Sequence, residues 1–302
     1  MIIPSYLRKG DKVIILSTAR KVSETDLSPA ITVLENWGLK ILLGSTIGPE
    51  DHQFAGSDSV RADDLQKALD NPQIKAILFA RGGYGSIRIL DKIRWDEFLK
   101  NPKWLVGFSD VSVFHSHVQA KFAISTLHAI MPSIFRFDEK GNLAQETLRK
   151  ALFGEPLAYQ SPQQGSLLRI GNGQGALVGG NISILYSLLG SESDIDTSGK
   201  VLFLEDLDEY LYHVDRMMIS LKRAGKFQNL QGLILGGLTD MNDNDVPFGK
   251  TPEEIVMDHI SEYSFPVCFN FPAGHLRDNR ALKLGFPVEL TVTSNESVLK
   301  FK

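Results

Sequence analysis

Apolar positions in the first half of the chain follow two periods in turn. Val13 to Leu16, Lys40 to Leu43, Ile74 to Ala80 and Trp104 to Phe108 are short runs with strand character, and Ile74 to Ala80, apolar but for Lys75, reads as a strand buried on both faces. Between them the spacing becomes helical. Leu27, Ile31 and Leu34 fall at i, i+4 and i+7, and Val60, Leu65 and Leu69 are assigned to the inner side of a helix from about Ser59 to Leu69. Gly38 closes the first helix and Asn71-Pro72 the second. Strands alternating with crossover helices predict an α/β fold with a parallel sheet.

A further helix over Leu143 to Phe153 gives way to residues 154–175, which are rich in Gly, Pro, Gln and Ser and have little apolar period. This stretch predicts a linker between an N-terminal domain of residues 1–153 and a C-terminal domain of residues 176–302. In the second domain, Ile182 to Leu189 reads as a helix behind Gly179-Gly180-Asn181, and Val201 to Leu204 as a strand ending in Glu205-Asp206. His213 to Ala224 reads as a helix closed by Gly225, and Leu233 to Leu238 as a buried strand. Thr251-Pro252-Glu253-Glu254 carries a capping box with proline at the first helical position. The chain ends in a strand-rich segment, Leu282 to Phe301, that turns at Ser294-Asn295.

Composition narrows the function classes. With 43% hydrophobic and 23% charged residues the chain is neither disordered nor fibrous. Lys and Arg number 32 against 36 Asp and Glu, a net charge of −4 without a basic run, which disfavours a nucleic-acid platform. No apolar run approaches the roughly 20 residues that span a bilayer, so no membrane partner is expected. Met1 to Gly10 lacks the pattern of a secretory signal. Cys268 is the only cysteine, which excludes an internal disulfide and a cysteine-cluster metal site. The expectation is a cytoplasmic protein whose partner is read by a local site.

Two junctions stand out from ordinary turns. Ile74 to Ala80 empties into Arg81-Gly82-Gly83-Tyr84-Gly85, and Trp104 to Phe108 into Ser109-Asp110 ahead of Val111, Phe114 and Val118 at helical spacing. Both would lie at carboxyl ends of strands, where open α/β sheets bind ligands. Gly107-Phe108-Ser109-Asp110 resembles the front of a nucleophile elbow, although Val111 stands where the final glycine belongs; the residues by themselves favour the plainer reading, in which Ser109 caps the helix beginning near Asp110. The Arg81 to Gly85 loop offers unobstructed backbone donors for a phosphate or an oxyanion, or is a plain tight turn. It lacks G-x-G-x-x-G spacing and a P-loop lysine, so no nucleotide cofactor is indicated.

Glu205 follows a strand directly, but Asp206, Asp208 and Glu209 are close by, and chemistry alone does not choose among the four. His275 follows Pro272-Ala273-Gly274 in a loop that reads as surface or as catalytic. His115 and His117 point to different helix faces, which argues against a shared metal. His128, beside a strand end, lines a pocket or packs. Serine, acid and histidine nevertheless occur in the order a hydrolytic triad uses on some folds, each at an apparent strand end.

Arg81-Gly82-Gly83-Tyr84-Gly85, Val106-Gly107-Phe108-Ser109-Asp110, Gly179-Gly180-Asn181-Ile182-Ser183, Leu204-Glu205-Asp206 with Asp215-Arg216, and Gly274-His275 with Asn279 and Leu284-Gly285 together resemble the LD-carboxypeptidase family in order and spacing. These are serine peptidases that include muramoyl-tetrapeptide carboxypeptidases and microcin C self-immunity peptidases. The resemblance implies Ser109 as nucleophile, His275 as base, Glu205 as orienting acid, and an oxyanion hole from the backbone N–H groups of Gly83 and Asp110. It implies no metal and no organic cofactor. The implied fold is a Rossmann-like α/β nucleophile domain joined to a C-terminal domain with a β-barrel-like core, the triad assembled across their interface, in a homodimer.

The implied activity is release of a terminal D-amino acid, typically D-alanine, from a murein tetrapeptide during cell-wall recycling. The alternatives are hydrolysis of peptidyl or aminoacyl nucleotides and non-catalytic binding of a nucleotide or wall fragment. The chain departs from the family in three places: Ser17-Thr18-Ala19-Arg20 replaces a proline-containing loop, His128-Ala129-Ile130 replaces His-Gly-Pro, and Lys283 replaces a proline. The first two are expected to border the substrate pocket.

Overall fold

The computed structural model describes residues 1–136, 142–162 and 167–302. Its strands are β1 (Lys12–Leu16), β2 (Lys40–Leu43), β3 (Ile74–Phe79), β4 (Trp104–Gly107), β5 (Thr126–His128), β6 (Ala158–Pro162), β7 (Gly171–Asn181), β8 (Val201–Leu207), β9 (Gly232–Thr239), β10 (Val267–Cys268), β11 (Leu282–Leu284), β12 (Pro287–Val292) and β13 (Glu296–Phe301). They form a six-stranded sheet in the order β11-β5-β4-β3-β1-β2 and a seven-stranded sheet in the order β10-β9-β8-β7-β12-β13-β6. β1 to β5 run parallel, as the alternating periods predict. β7 to β10 form a second parallel block, extended by antiparallel β12, β13 and β6. The barrel-like core expected of the C-terminal half is here a mixed sheet in linear order.

The helices follow local chemistry. Ser23 and Asp26 form a capping box at the start of Glu24–Asn36, which turns Leu27, Ala30 and Leu34 inward. Asp58–Asp70 buries Ala62, Leu65, Ala68 and Leu69, whereas Val60, expected on that face, is exposed. Five residues of helix rotate the direction by about 140° beyond a full turn, so Val60 and Leu65 do not share a stripe. The capping box of Thr251 and Glu254 starts Pro252–Ile260 where the sequence predicts it.

Within the stretch read as a linker, residues 163–166 lie outside the described residues, but its flanks are ordered strand. β6 pairs with β13, and β7 opens at Gly171 against Val292 of β12. β6 is short and buries only alternate residues, Tyr159 and Ser161, which leaves little apolar period to read. The expected linker therefore supplies part of the second sheet. The two sheets also share a seam. β11, from the C-terminal half, pairs antiparallel with β5, with Leu282 opposite His128. The loop carrying His275 is thereby drawn to the end of β4, and the carboxyl ends of β3, β4 and β8 open on one cleft.

Candidate active site

β4 is wholly buried and ends at Gly107. Phe108 remains extended, Ser109 takes φ 62°, and a short 3₁₀ turn over Ser109–Val111 leads into the helix Ser112–Phe122. A left-handed serine is strained by about 1–3 kcal/mol, and such strain at a strand-to-helix turn is how a nucleophile elbow exposes its hydroxyl. Neither the turn nor the helix has a side-chain cap bond, so Ser109 does not act as the capping residue. The missing last glycine of the elbow is accommodated from the other side: a Cβ on Gly107 would lie 2.9 Å from Val111 Cγ2, so Val111 occupies room that Gly107 leaves. Gly82 approaches so closely that a Cβ on it would lie 3.2 Å from Ser109 Oγ.

Glu205 sits near the end of β8 with its side chain fully buried. Its Oε2 accepts from His275 Nδ1 at 2.5 Å and from the His275 backbone N–H at 3.2 Å. The imidazole packs on Phe108, the residue before Ser109, with ring centroids 4.8 Å apart. Ser109 and His275 border one cavity of about 480 Å³, together with Gly82, Gly83 and Asp110. Burial alone would raise the Glu205 carboxyl, but His128 and His275 outweigh it and bring it down to about 2. Burial works against charge on His275, yet the Glu205 carboxylate, with Asp206 behind it, raises the imidazole above its ordinary value.

The four neighbouring carboxylates are now distinguishable. Asp206 accepts from Asn181 Nδ2 at 2.8 Å and from the Ser183 N–H at 2.9 Å, and burial with Glu205 beside it pushes its carboxyl up to about 7. Asp208 accepts from Asn242 Nδ2 at 2.8 Å, and Glu209 pairs with His213 Nδ1 at 2.5 Å. Of the four, Glu205 is the one bonded to His275, a distinction made by strand direction rather than residue type.

The loop after β3 is tied down by groups that the sequence reading did not single out for that role. Asp110 Oδ2 accepts from the Ser86 N–H at 2.8 Å, and the Ser86 and Thr18 hydroxyls are 2.7 Å apart. Arg61, fully buried, donates from Nη1 to the carbonyls of Thr18 at 2.5 Å and Gly85 at 2.9 Å. The available signal was a cation at the helical spacing of the apolar stripe, Arg61 ahead of Leu65 and Ala68. Gly83, at φ 113°, lies under the stem of Arg20; a Cβ there would be 2.6 Å from Arg20 Cδ.

The remaining histidines part company. His115 donates from Nε2 to the Gly107 carbonyl at 2.9 Å, and burial pushes it down to about 3, so it is neutral. His117 Nδ1 meets Ser193 Oγ at 2.8 Å. Among the described residues no group of His, Cys, Asp and Glu is arranged to hold a metal ion. His128 is fully buried behind the acid, its Nε2 3.9 Å from Glu205 Oε1.

Comparison with known proteins finds likeness along the chain. The family description "LD-carboxypeptidase N-terminal domain" matches residues 13–129, and "LD-carboxypeptidase C-terminal domain" matches residues 174–290. A Bacillus subtilis protein named "Probable murein peptide carboxypeptidase" is 31% identical over 98% of this chain and 94% of its own length. The "Murein tetrapeptide carboxypeptidase" of Pseudomonas aeruginosa is 28% identical over 91% of each chain. The crystal structure of muramoyltetrapeptide carboxypeptidase from Oxalobacter formigenes superposes with a TM-score of 0.86 at 24% identity, covering 96% of this chain and 98% of the other.

Proposed function

The chain belongs to the LD-carboxypeptidase family of serine-type peptidases, and from that premise we propose that it removes the terminal D-amino acid of a murein tetrapeptide, with Ser109 as nucleophile, His275 as general base and Glu205 as orienting acid. The observation that carries the reading is that His275, bonded to the buried Glu205, borders a single cavity with the strained Ser109.

Ser109 Oγ attacks the carbonyl carbon of the bond joining an L-configured centre to the terminal D-residue. His275 Nε2 takes the serine proton while Nδ1–H stays on Glu205, which fixes the tautomer and stabilises the imidazolium. The backbone N–H groups of Gly83 and Asp110 receive the developing oxyanion, each worth about 3 kcal/mol of barrier. The C–N bond breaks as His275 returns the proton to the leaving amine, and water releases the acyl group by the same route in reverse. Arg20 and Arg81, on the wall of the same cavity, are available to hold the free terminal carboxylate. The reading puts the protein in the cytoplasm, where recovered wall peptides would be trimmed, and in a homodimer, which light scattering on the purified protein tests.

The decisive experiment incubates the protein with a defined tetrapeptide ending in D-Ala or L-Ala. Release from the D-ended peptide alone is expected; release from the L-ended peptide alone overturns the stereochemistry. Cleavage of an aminoacyl sulfamoyl nucleotide in preference to the peptide would favour the self-immunity type of reaction. Ser109→Ala should abolish turnover by several orders of magnitude with ligand affinity kept, whereas a binding protein would be unaffected.

A further inference from the structure

The acid of the proposed triad has two oxygens, and only one is accounted for. Oε2 of Glu205 takes both N–H groups of His275, while Oε1 is buried without a hydrogen-bond partner among the described residues. A buried carboxylate oxygen left unpaired is costly, which makes the polar groups beside it informative. His128 Nε2 lies 3.9 Å away, and neither ring nitrogen of His128 has a hydrogen-bond partner among the described residues either. Two orphaned polar groups, both at 0% exposure, face each other across a gap slightly longer than a hydrogen bond.

The surroundings hold His128 in that orientation. Its backbone is fixed on both sides, opposite Gly107 of β4 and Leu282 of β11. Its ring is gripped edge-on by Phe203 of β8, centroids 4.9 Å apart, and by Phe108 at 5.7 Å. Phe108 also packs on His275, so one phenyl ring spaces both imidazoles about the same carboxylate.

We propose that His128 is a positioning residue for the reaction: with a proton on Nε2, it donates to Glu205 Oε1 and holds the carboxylate plane so that Oε2 stays on His275. The proposal rests on the triad assigned above. As positive charge develops on His275, a carboxylate secured at both oxygens cannot rotate away or take up the proton. The charged and titratable groups around Glu205 are His275 from the loop after β10, His128 from β5 and Asp206 from its own strand, with His115 of the helix Ser112–Phe122 behind His128. His115 is neutral, so it adds no competing charge.

Nitrogen-15 NMR of the wild-type protein tests the tautomer without any substrate. A proton on Nε2 of His128 is expected; an Nε2 that carries no proton overturns the proposal. His128→Phe and His128→Gln are then assayed for D-Ala release. The phenyl variant should lose about tenfold or more in kcat with KM little changed, because a hydrogen bond to a charged group is removed. Its acidic limb should move to higher pH, since the less quenched carboxylate binds the His275 proton more strongly and is itself more easily protonated. His128→Gln, which restores a donor, should recover most of the rate and return the limb. Equal losses in both variants, or a loss uniform across pH, would mean that His128 only packs. Inactivity of the wild type toward every tetrapeptide would count against the assigned function and leave the NMR criterion standing.

Discussion

A Cβ placed on Gly274 would lie 2.7 Å from Glu205 Cβ, closer than side chains pack. Gly274 has φ 99° and donates its N–H to Asn279 Oδ1 at 2.9 Å. Glu205 and His275 can meet because the residue before His275 has no side chain. Gly274→Ala should displace the imidazole by a fraction of an ångström and lower kcat about 100-fold, the scale of loss that small misplacements produce. Thermal melting with activity on the same samples separates this from unfolding; a variant of full activity would contradict the packing argument.

The pH profile follows from the same pair. His275 must be neutral to act as base, and Glu205 raises its pKa. The logarithm of kcat/KM should therefore climb with pH up to a limb above the ordinary imidazole value of about 6.5. In Glu205→Gln the limb should fall toward or below that value and the plateau should drop by about 10³–10⁴, the loss seen when a triad acid is neutralised. An unchanged limb would remove Glu205 from the role of orienting acid.

Asp206 offers a second titration with its own sign. Its carboxyl is pushed up to about 7, above its unfolded value, so the folded state holds a proton that the unfolded state has released. Stability from this group is complete at low pH and is lost as pH rises from about 4 to about 7. Asp206→Asn should flatten that slope in urea titrations between those limits. It should also lower the His275 limb, because Asp206 is one of the charges that raise it.

Lys103 makes a prediction about stability alone. Its ammonium is buried at the carboxyl end of the helix Asp58–Asp70 and donates to the carbonyls of Ala68, Leu69 and Asn71 at 2.9, 2.7 and 2.8 Å. Burial pushes its pKa down to about 8. Lys103→Met keeps the aliphatic packing but strips those carbonyls of their donor, and should cost about 1–3 kcal/mol in denaturant unfolding. Activity per folded molecule should stay the same, since Lys103 lies away from the cavity.

Much of the parallel sheet was legible because its strands are apolar on both faces and its helices carry clear stripes. Ser109 and His275 were marked by the turns that flank them, and Glu205 by the end of its strand, but Glu205 could be chosen from its acidic neighbours only through family resemblance. In the structure Glu205 is the one of them bonded to His275, a contact between residues 70 positions apart. β6 escaped notice because its alternation offers only Tyr159 and Ser161 to the interior. Arg61 escaped for a different reason, and His128, noticed beside a strand end, could not be assigned to pocket or core. Each is a polar residue whose meaning depends on partners from distant strands and loops, and local spacing carries no information about those partners.

The seam between β11 and β5 has a consequence for how the protein comes into being. The strand that covers the outer edge of β5 is made only after the whole of the second parallel block, β7 to β10. Until β11 emerges, the half that carries Ser109 has β5 as a bare edge, and His275 is made only a few residues before that edge can be covered. On the function proposed above, a chain that stops short of His275 would hold Ser109 without its base and leave β5 without its outer partner.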